Sequence, residues 1–294
     1  MCGCCTAQCP VVKEEEPEFI GPAAVLRAKR YIFDTRLRDT EERKQIIGDD
    51  IILFDCGRYA SSQLFRTGTP PYKVTHLFFT HSFHFDHTSD YPNLLFSRFH
   101  NDTKPLNVYG PPGTEKLTDN IFKAFIDERG PSLFGKIHVK DLQEGNEIST
   151  DNWSLSCVGT NHGSFYNQKS LAYKLVSEDK SVVFSGDVGC GRPDVDKSNA
   201  YVLNPSLISL AKDADVFVMD ADLVHTSVKD IAWAAKASNA KHVVLTHTHI
   251  SDWVSSEVYS PVINQGTDEE IIEEIMAVFD GTVTIAKDLT SIHP

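Results

Sequence analysis

Basic residues are scarce in this chain of 294 residues: 28 Lys and Arg stand against 41 Asp and Glu, a formal charge of -13. Non-specific affinity for nucleic acid comes mostly from Lys and Arg releasing counterions from phosphate, so this balance argues against a large polyanionic partner. Long apolar runs are also missing, and no stretch approaches the length needed to span a bilayer. There is no internal repeat and no low-complexity linker, which sets aside solenoids and arrays. The first residues have neither the charged n-region nor the apolar h-region of a secretory signal, so a cytoplasmic location is expected. What remains is ordinary globular material. With 41% of its residues apolar, the chain has enough to bury one core, and the expected organisation is a disordered tail over residues 1–20 followed by a single domain over 21–294.

Cysteine is concentrated where a core is not expected. Four of the seven, Cys2, Cys4, Cys5 and Cys9, lie in the first ten residues, ahead of Glu14-Glu15-Glu16. A solvated tail, lipid attachment and metal binding are the open readings of that cluster. Cys56, Cys157 and Cys190 fall at strand ends and are expected as small core residues in a reducing compartment.

The strongest signal is Leu77-Phe78-Phe79-Thr80-His81-Ser82-Phe83-His84-Phe85-Asp86-His87, an apolar run followed by three histidines and a carboxylate within seven residues. Imidazole and carboxylate suit zinc, manganese and iron, and a loop leaving a strand can aim several of them at one point. Three further strand-end histidines and carboxylates follow in order: His162 after the strand at 153–158, Asp187 after Ser181-Val182-Val183-Phe184, and His247 after His242-Val243-Val244-Leu245-Thr246. Apolar patterning places strands over 24–33, 51–54, 76–80, 106–109, 153–158, 171–177, 181–184, 216–219, 242–245 and 283–286. It places helices over 61–66, 114–128, 228–238 and 268–279, and two sheets covered by helices accommodate that series. The segment Gly110-Pro111-Pro112-Gly113-Thr114 lacks the Gly-Lys-Ser/Thr ending of a nucleotide P-loop. Its two prolines also remove N–H donors, so it reads as a rigid turn with Thr114 as N-cap.

Together with Asp55-Cys56-Gly57 after the strand at 51–54, these segments resemble the metallo-β-lactamase superfamily and its His-x-His-x-Asp-His signature. The resemblance implies an α/β fold, a four-layer αββα sandwich. It also implies two divalent metal ions, most simply Zn2+, with Mn2+ or Fe as alternatives. His81, His84 and His162 would hold one ion; Asp86, His87 and His247 would hold the other; Asp187 would bridge. The chain departs from the signature by one residue, most simply Phe83. Since i and i+2 point to one side of an extended chain and i and i+3 do not, His81 reaches the site only through a bulge, and counting back from Asp86 puts the first ligand position on Ser82.

Within the superfamily the chain is most similar to the branch of ribonuclease Z, the metallo-type arylsulfatases and the class II cyclic-nucleotide phosphodiesterases. Asp90-Tyr91-Pro92-Asn93-Leu94-Leu95, residues 108–114 and Ala221-Asp222-Leu223-Val224-His225-Thr226-Ser227 carry that similarity. It implies catalytic roles for Asp86, orienting the attacking water, and for His225, protonating the leaving group; a cap for the helix beginning near Ser227 is the other reading of His225. Ribonuclease Z would also be expected to carry a long substrate-gripping arm between the third histidine and the bridging aspartate. Only 24 residues separate His162 from Asp187. The expected activity is therefore hydrolysis of a small phosphodiester or sulfate ester, with an anionic small molecule and no nucleic acid as partner, and a homodimer left open. The alternatives are tRNA 3′ processing and a non-catalytic binding protein with a degraded metal site. Specificity would reside in loops around 58–72, 96–104, 192–207 and 251–266, whose composition does not encode a ligand.

Overall fold

Strands β1 (Ile52–Phe54), β2 (His76–Phe78), β3 (Leu106–Gly110) and β4 (Ile137–Asp141) form an all-parallel sheet in that order. In this computed structural model the described residues are 49–82, 84–99, 103–125, 134–160, 170–188, 205–221, 226–248, 266–287 and 290–294. The expected tail, the strand expected over 24–33, Phe83, His162, Cys190 and His225 lie outside them. The second sheet has β5 (Glu147–Ser149), β6 (Ser154–Thr160), β7 (Ser170–Ser177), β8 (Lys180–Phe184), β9 (Val216–Asp220), β10 (His242–Thr246) and β11 (Thr282–Ile285), in the order β11-β10-β9-β8-β7-β6-β5. From β8 to β11 the pairing is parallel, and from β5 to β8 it is antiparallel. Parallel strands covered on both faces read as near-continuous apolar runs, and Val-Phe-Val-Met-Asp of β9 is buried throughout.

Three apolar layers make this the expected αββα arrangement. Between the sheets, Phe54 and Phe78 meet Phe184 and Tyr173, with ring centroids 4.0 Å apart for Phe54 and Phe184 and 5.6 Å for Phe78 and Tyr173. The Tyr173 hydroxyl spends its donor on the Phe79 carbonyl at 2.6 Å, so a polar tip sits in an apolar layer without an unmet hydrogen bond. Outside the first sheet, Leu64 of α1 (Ala60–Arg66), Leu94 and Leu95 of α3 (Tyr91–Phe96) and Ile121 of α4 (Thr114–Phe125) pack on Leu53, Leu77 and Val108. Outside the second, α5 (Pro205–Leu210), α6 (Val228–Ser238) and α7 (Asp268–Met276) cover Phe217, Val243 and Leu245. The short α2 (Phe85–Thr88) carries the end of the histidine motif.

Several local expectations are revised. Thr114 is the first residue of α4, and its hydroxyl donates to the Pro111 carbonyl at 2.8 Å; Asp141 of β4 instead accepts from the N–H groups of Gly113 and Glu115 at 2.8 and 2.9 Å. A carboxylate there also suits the positive end of the helix dipole. Strands β4 and β5 and helices α2, α3 and α5 were not expected. The first two are short and half-exposed, α3 begins Tyr-Pro, which reads as turn, and α5 falls partly within a stretch expected to be loop. Cys56 and Cys157 are buried free thiols, as expected. No helix among the described residues is long and apolar enough to cross a membrane.

Candidate metal centre

The carboxyl ends of the strands in the two sheets meet, and the ligand-type side chains leave those ends. After β2 the chain runs through His81 and His84 into α2, where Asp86 and His87 project. That loop lies hard against the turn after β1. The Cys56 N–H donates to the His87 carbonyl at 2.7 Å, and a Cβ on Gly57 would stand 1.9 Å from the Asp86 carbonyl oxygen. Only glycine permits this approach. From the second sheet come Asp187, three residues past β8, Asp220, the last residue of β9, and His247, the first after β10. Asp55 and His247 both hold positive φ, 57° and 60°, a conformation that L-residues other than glycine adopt rarely and that concentrates at functional sites.

One donor atom each from His84, Asp86, His87 and Asp187 can be chosen so that all lie within 4.8 Å of one another, and the same holds for Asp187, Asp220 and His247. His87 is central: Nε2 lies 2.9 Å from Asp187 Oδ2 and 3.8 Å from Asp86 Oδ2, while Nδ1 lies 2.9 Å from Asp55 Oδ2. Asp55 is itself fixed by the Thr80 N–H at 2.6 Å and the Thr80 hydroxyl at 2.8 Å. His247 approaches from the other side, Nε2 3.8 Å from Asp86 Oδ2 and Nδ1 3.7 Å from Asp187 Oδ1. His84 Nδ1 lies 2.6 Å from Asp86 Oδ1.

Burial and charge oppose each other here. Burial alone would push the His87 pKa down, but Asp187, Asp55 and Asp86 outweigh it and hold it well above the ordinary imidazole value. Burial would raise Asp187, but His87 and His247 hold it well below the usual carboxylate range. Asp86 is lowered in the same way, burial being overcome by His87 and His84. Buried carboxylates packed among imidazoles need a cation among them, either protons on the rings or a metal ion. Carboxylate oxygens with imidazole nitrogens are the donor set of a divalent site, so the residues present fit the ions expected from the sequence.

His84, Asp86, His87, Asp187 and His247 are thus brought together. His81 arrives beside them: its buried ring is 4.6 Å from that of His87 and 6.0 Å from that of His84, with Nδ1 2.9 Å from the Thr80 hydroxyl. Ser82, the position reached by counting back from Asp86, turns away; its hydroxyl lies 2.9 Å from the Pro111 carbonyl and 2.7 Å from the Thr114 hydroxyl. His162 and His225 fall outside the described residues. The helix that His225 was alternatively expected to cap carries its own capping box, Ser227 with Asp230. Sequence reasoning missed the roles of Asp55, Thr80 and Asp220. Asp55 stood in a segment noted for resemblance alone, and Asp220 lay one residue beyond the expected end of its strand.

A sequence profile described as "Beta-lactamase superfamily domain" matches residues 50–248. The chain belongs to that superfamily. Ribonuclease Z of Bacillus cereus is 28% identical over 321 aligned positions, covering 93% of this chain and 97% of the relative. Ribonuclease Z of Methanothermobacter thermautotrophicus is 25% identical, covering 68% and 78%. Among solved structures, human tRNase Z, short form, superposes with a TM-score of 0.59 at 19% identity over 90% of this chain and 96% of that one, which shows the shared fold. The fold, the superfamily and a metal-dependent hydrolase are thereby established. The expectation of a small ester and no nucleic acid is overturned by these relatives, which are named as ribonucleases. Formal charge sums the whole surface, whereas a scissile phosphate is met at one face, where bound cations can supply what lysine and arginine do not.

Proposed function

We propose that this chain is a dinuclear metal-dependent phosphodiesterase of the ribonuclease Z kind that cleaves RNA. The observation that carries the reading is four convergent His and Asp donors within 4.8 Å on a chain that aligns almost end to end with a ribonuclease Z. His81, His84 and His162 would hold one ion, Asp86, His87 and His247 the other, and Asp187 both. Zinc is the first choice for an imidazole and carboxylate set. Bound there, two such ions make water nucleophilic near neutral pH and neutralise charge developing on phosphate.

The chain's own residues supply the rest. Asp86, half-buried at the mouth of the cluster, accepts a hydrogen bond from the attacking water and orients it. Asp55 holds Nδ1 of His87, which fixes the ring and leaves Nε2 toward Asp187. His225 delivers a proton to the departing ribose oxygen. The interval between His162 and Asp187 has only 24 residues, into which β7 and β8 fall, a short interval for a substrate-gripping arm. The Bacillus relative's alignment, 321 positions against a chain of 294, includes positions with no counterpart in this chain.

The test is a precursor tRNA with a 3′ trailer, incubated with the chain after metal removal and reconstitution with Zn2+ or Mn2+, beside methyl p-nitrophenyl phosphate as a minimal diester. Endonucleolytic cleavage that requires metal and is lost in Asp187→Ala supports the reading. Turnover of the minimal diester with intact RNA would remove the RNA assignment, and no turnover of either would remove the phosphodiesterase.

A further inference from the structure

We propose that Asp220 is a positioning residue for His247, fixing the imidazole tautomer and its rotation so that Nε2 is the atom presented to metal. The inference rests on the metal assignment made above and adds to it a residue outside the expected ligand set. Asp220 closes β9, is buried, and pairs in register with Thr246, one residue before His247. Its Oδ1 lies 3.1 Å from His247 Nδ1, and its Oδ2 accepts from the Val188 N–H at 3.3 Å. Its own N–H donates to the Ser185 hydroxyl at 3.1 Å. One carboxylate therefore ties the His247 ring to the segment carrying Asp187.

Asp187, Asp220 and His247 could also be read as three direct ligands. The hydrogen bonding favours positioning, since each Asp220 oxygen already faces an N–H or ring nitrogen of the protein. An ionised carboxylate only accepts, so Nδ1 must carry the hydrogen and Nε2 must carry the lone pair. Nε2 points toward Asp86 Oδ2, 3.8 Å away, which is where the second ion would be shared. The constraint matters because His247 leaves β10 at φ 60°, a turn that does not by itself dictate where the ring points. The Asp55–His87 pair repeats the arrangement at 2.9 Å on the other imidazole assigned to the same ion. The two rings are thus oriented by separate carboxylates, one from each sheet.

The test uses the full chain, stripped of metal and titrated with Zn2+ against a chromogenic chelator, with 15N spectra of the histidine side chains in the zinc-loaded protein. Unmodified protein should take up two equivalents and show a protonated Nδ1 on His247. Asp220→Ala should weaken one equivalent by about 10- to 100-fold, spare the other, and lose that Nδ1 signature. Asp220→Asn keeps the volume but cannot accept from both His247 and Val188, so it should also weaken one equivalent; it carries the test if the alanine variant does not fold. Uptake of no metal by the unmodified protein would overturn the metal assignment and this proposal with it. Two equivalents bound with unchanged affinity and unchanged His247 tautomer in the variants would overturn the proposal alone, as would a lowered melting temperature of the metal-free variant with affinity and tautomer intact.

Discussion

The two halves of the candidate centre are built by different means. In the second sheet, Asp187, Asp220 and His247 leave adjacent parallel strands, and the register Thr246↔Asp220 alone sets two of them side by side. In the first sheet, a loop and one turn of helix carry His81, His84, Asp86 and His87, and they reach the centre only because Gly57 admits the backbone of Asp86. A parallel ladder fixes strand ends without help from side chains, whereas a loop must be held by contacts to whatever it lies against. The strand-end half should therefore tolerate changes in its surroundings, and the loop half should respond to them.

Asp187→Ala should have the largest effect of all, because it removes the buried carboxylate that lies 2.9 Å from His87 and 3.7 Å from His247 and that would be shared by both ions. Metal and turnover should be lost together, by about 10³-fold or more in turnover, since a bound ion supplies several kcal/mol of transition-state stabilisation. Metal analysis beside a single-turnover assay checks this, and retention of two ions with full activity would detach Asp187 from the site. His225→Ala comes next. If it protonates the leaving oxygen, the variant should slow poor leaving groups by about 10²-fold and spare nitrophenyl esters. Equal slowing of both would leave His225 without that role.

The strand-end half was largely legible in the sequence, since an apolar run ending in Gly-Asp or Thr-His reads as a buried parallel strand delivering a polar group. The expected strand 242–245 ends one residue short of the observed β10. Asp220 was not legible because its partner is 27 residues away and a carboxylate after a strand is ordinary. Asp55 is the same case, 32 residues from His87. In the loop half, the ligand types were plain and the geometry was not. A one-residue departure from a spacing says that the chain must bulge, but only tertiary contacts say which side chain is turned out. Here Ser82 is turned toward Pro111 and Thr114 while His81 stays against His87. The whole-chain charge misled about partners for the same reason: it averages over surfaces that the substrate never meets.

His81→Ala tests that loop more gently. The His81 ring is buried beside His87, so the first ion should be held about 10- to 100-fold less tightly while the second is kept, a loss visible as a fall from two bound equivalents toward one at limiting metal. No change in stoichiometry or affinity would show that the extra residue has removed His81 from the metal set.

The smallest effects should come from the two glycines that let the halves approach, and they test whether the halves are separate at all. A Cβ at Gly57 meets the Asp86 carbonyl, which is backbone and cannot step aside; a Cβ at Gly186 meets the Thr80 side chain at 2.7 Å, and Gly186 also holds φ 63°. Each alanine variant should cost about 1–3 kcal/mol in denaturant unfolding of the metal-free protein, from overpacking at both sites and from added backbone strain at Gly186. The informative quantity is the double variant. A Cβ at Gly186 would press on Thr80, Thr80 holds Asp55, Asp55 holds His87, and His87 follows the residue that a Cβ at Gly57 would meet. That chain of contacts predicts an interaction energy of about 0.5 kcal/mol or more, either sign, between the two substitutions. Additivity within about 0.3 kcal/mol would mean that strain introduced at Gly57 and at Gly186 is not passed along these contacts, and that the loop and the strand ends settle independently.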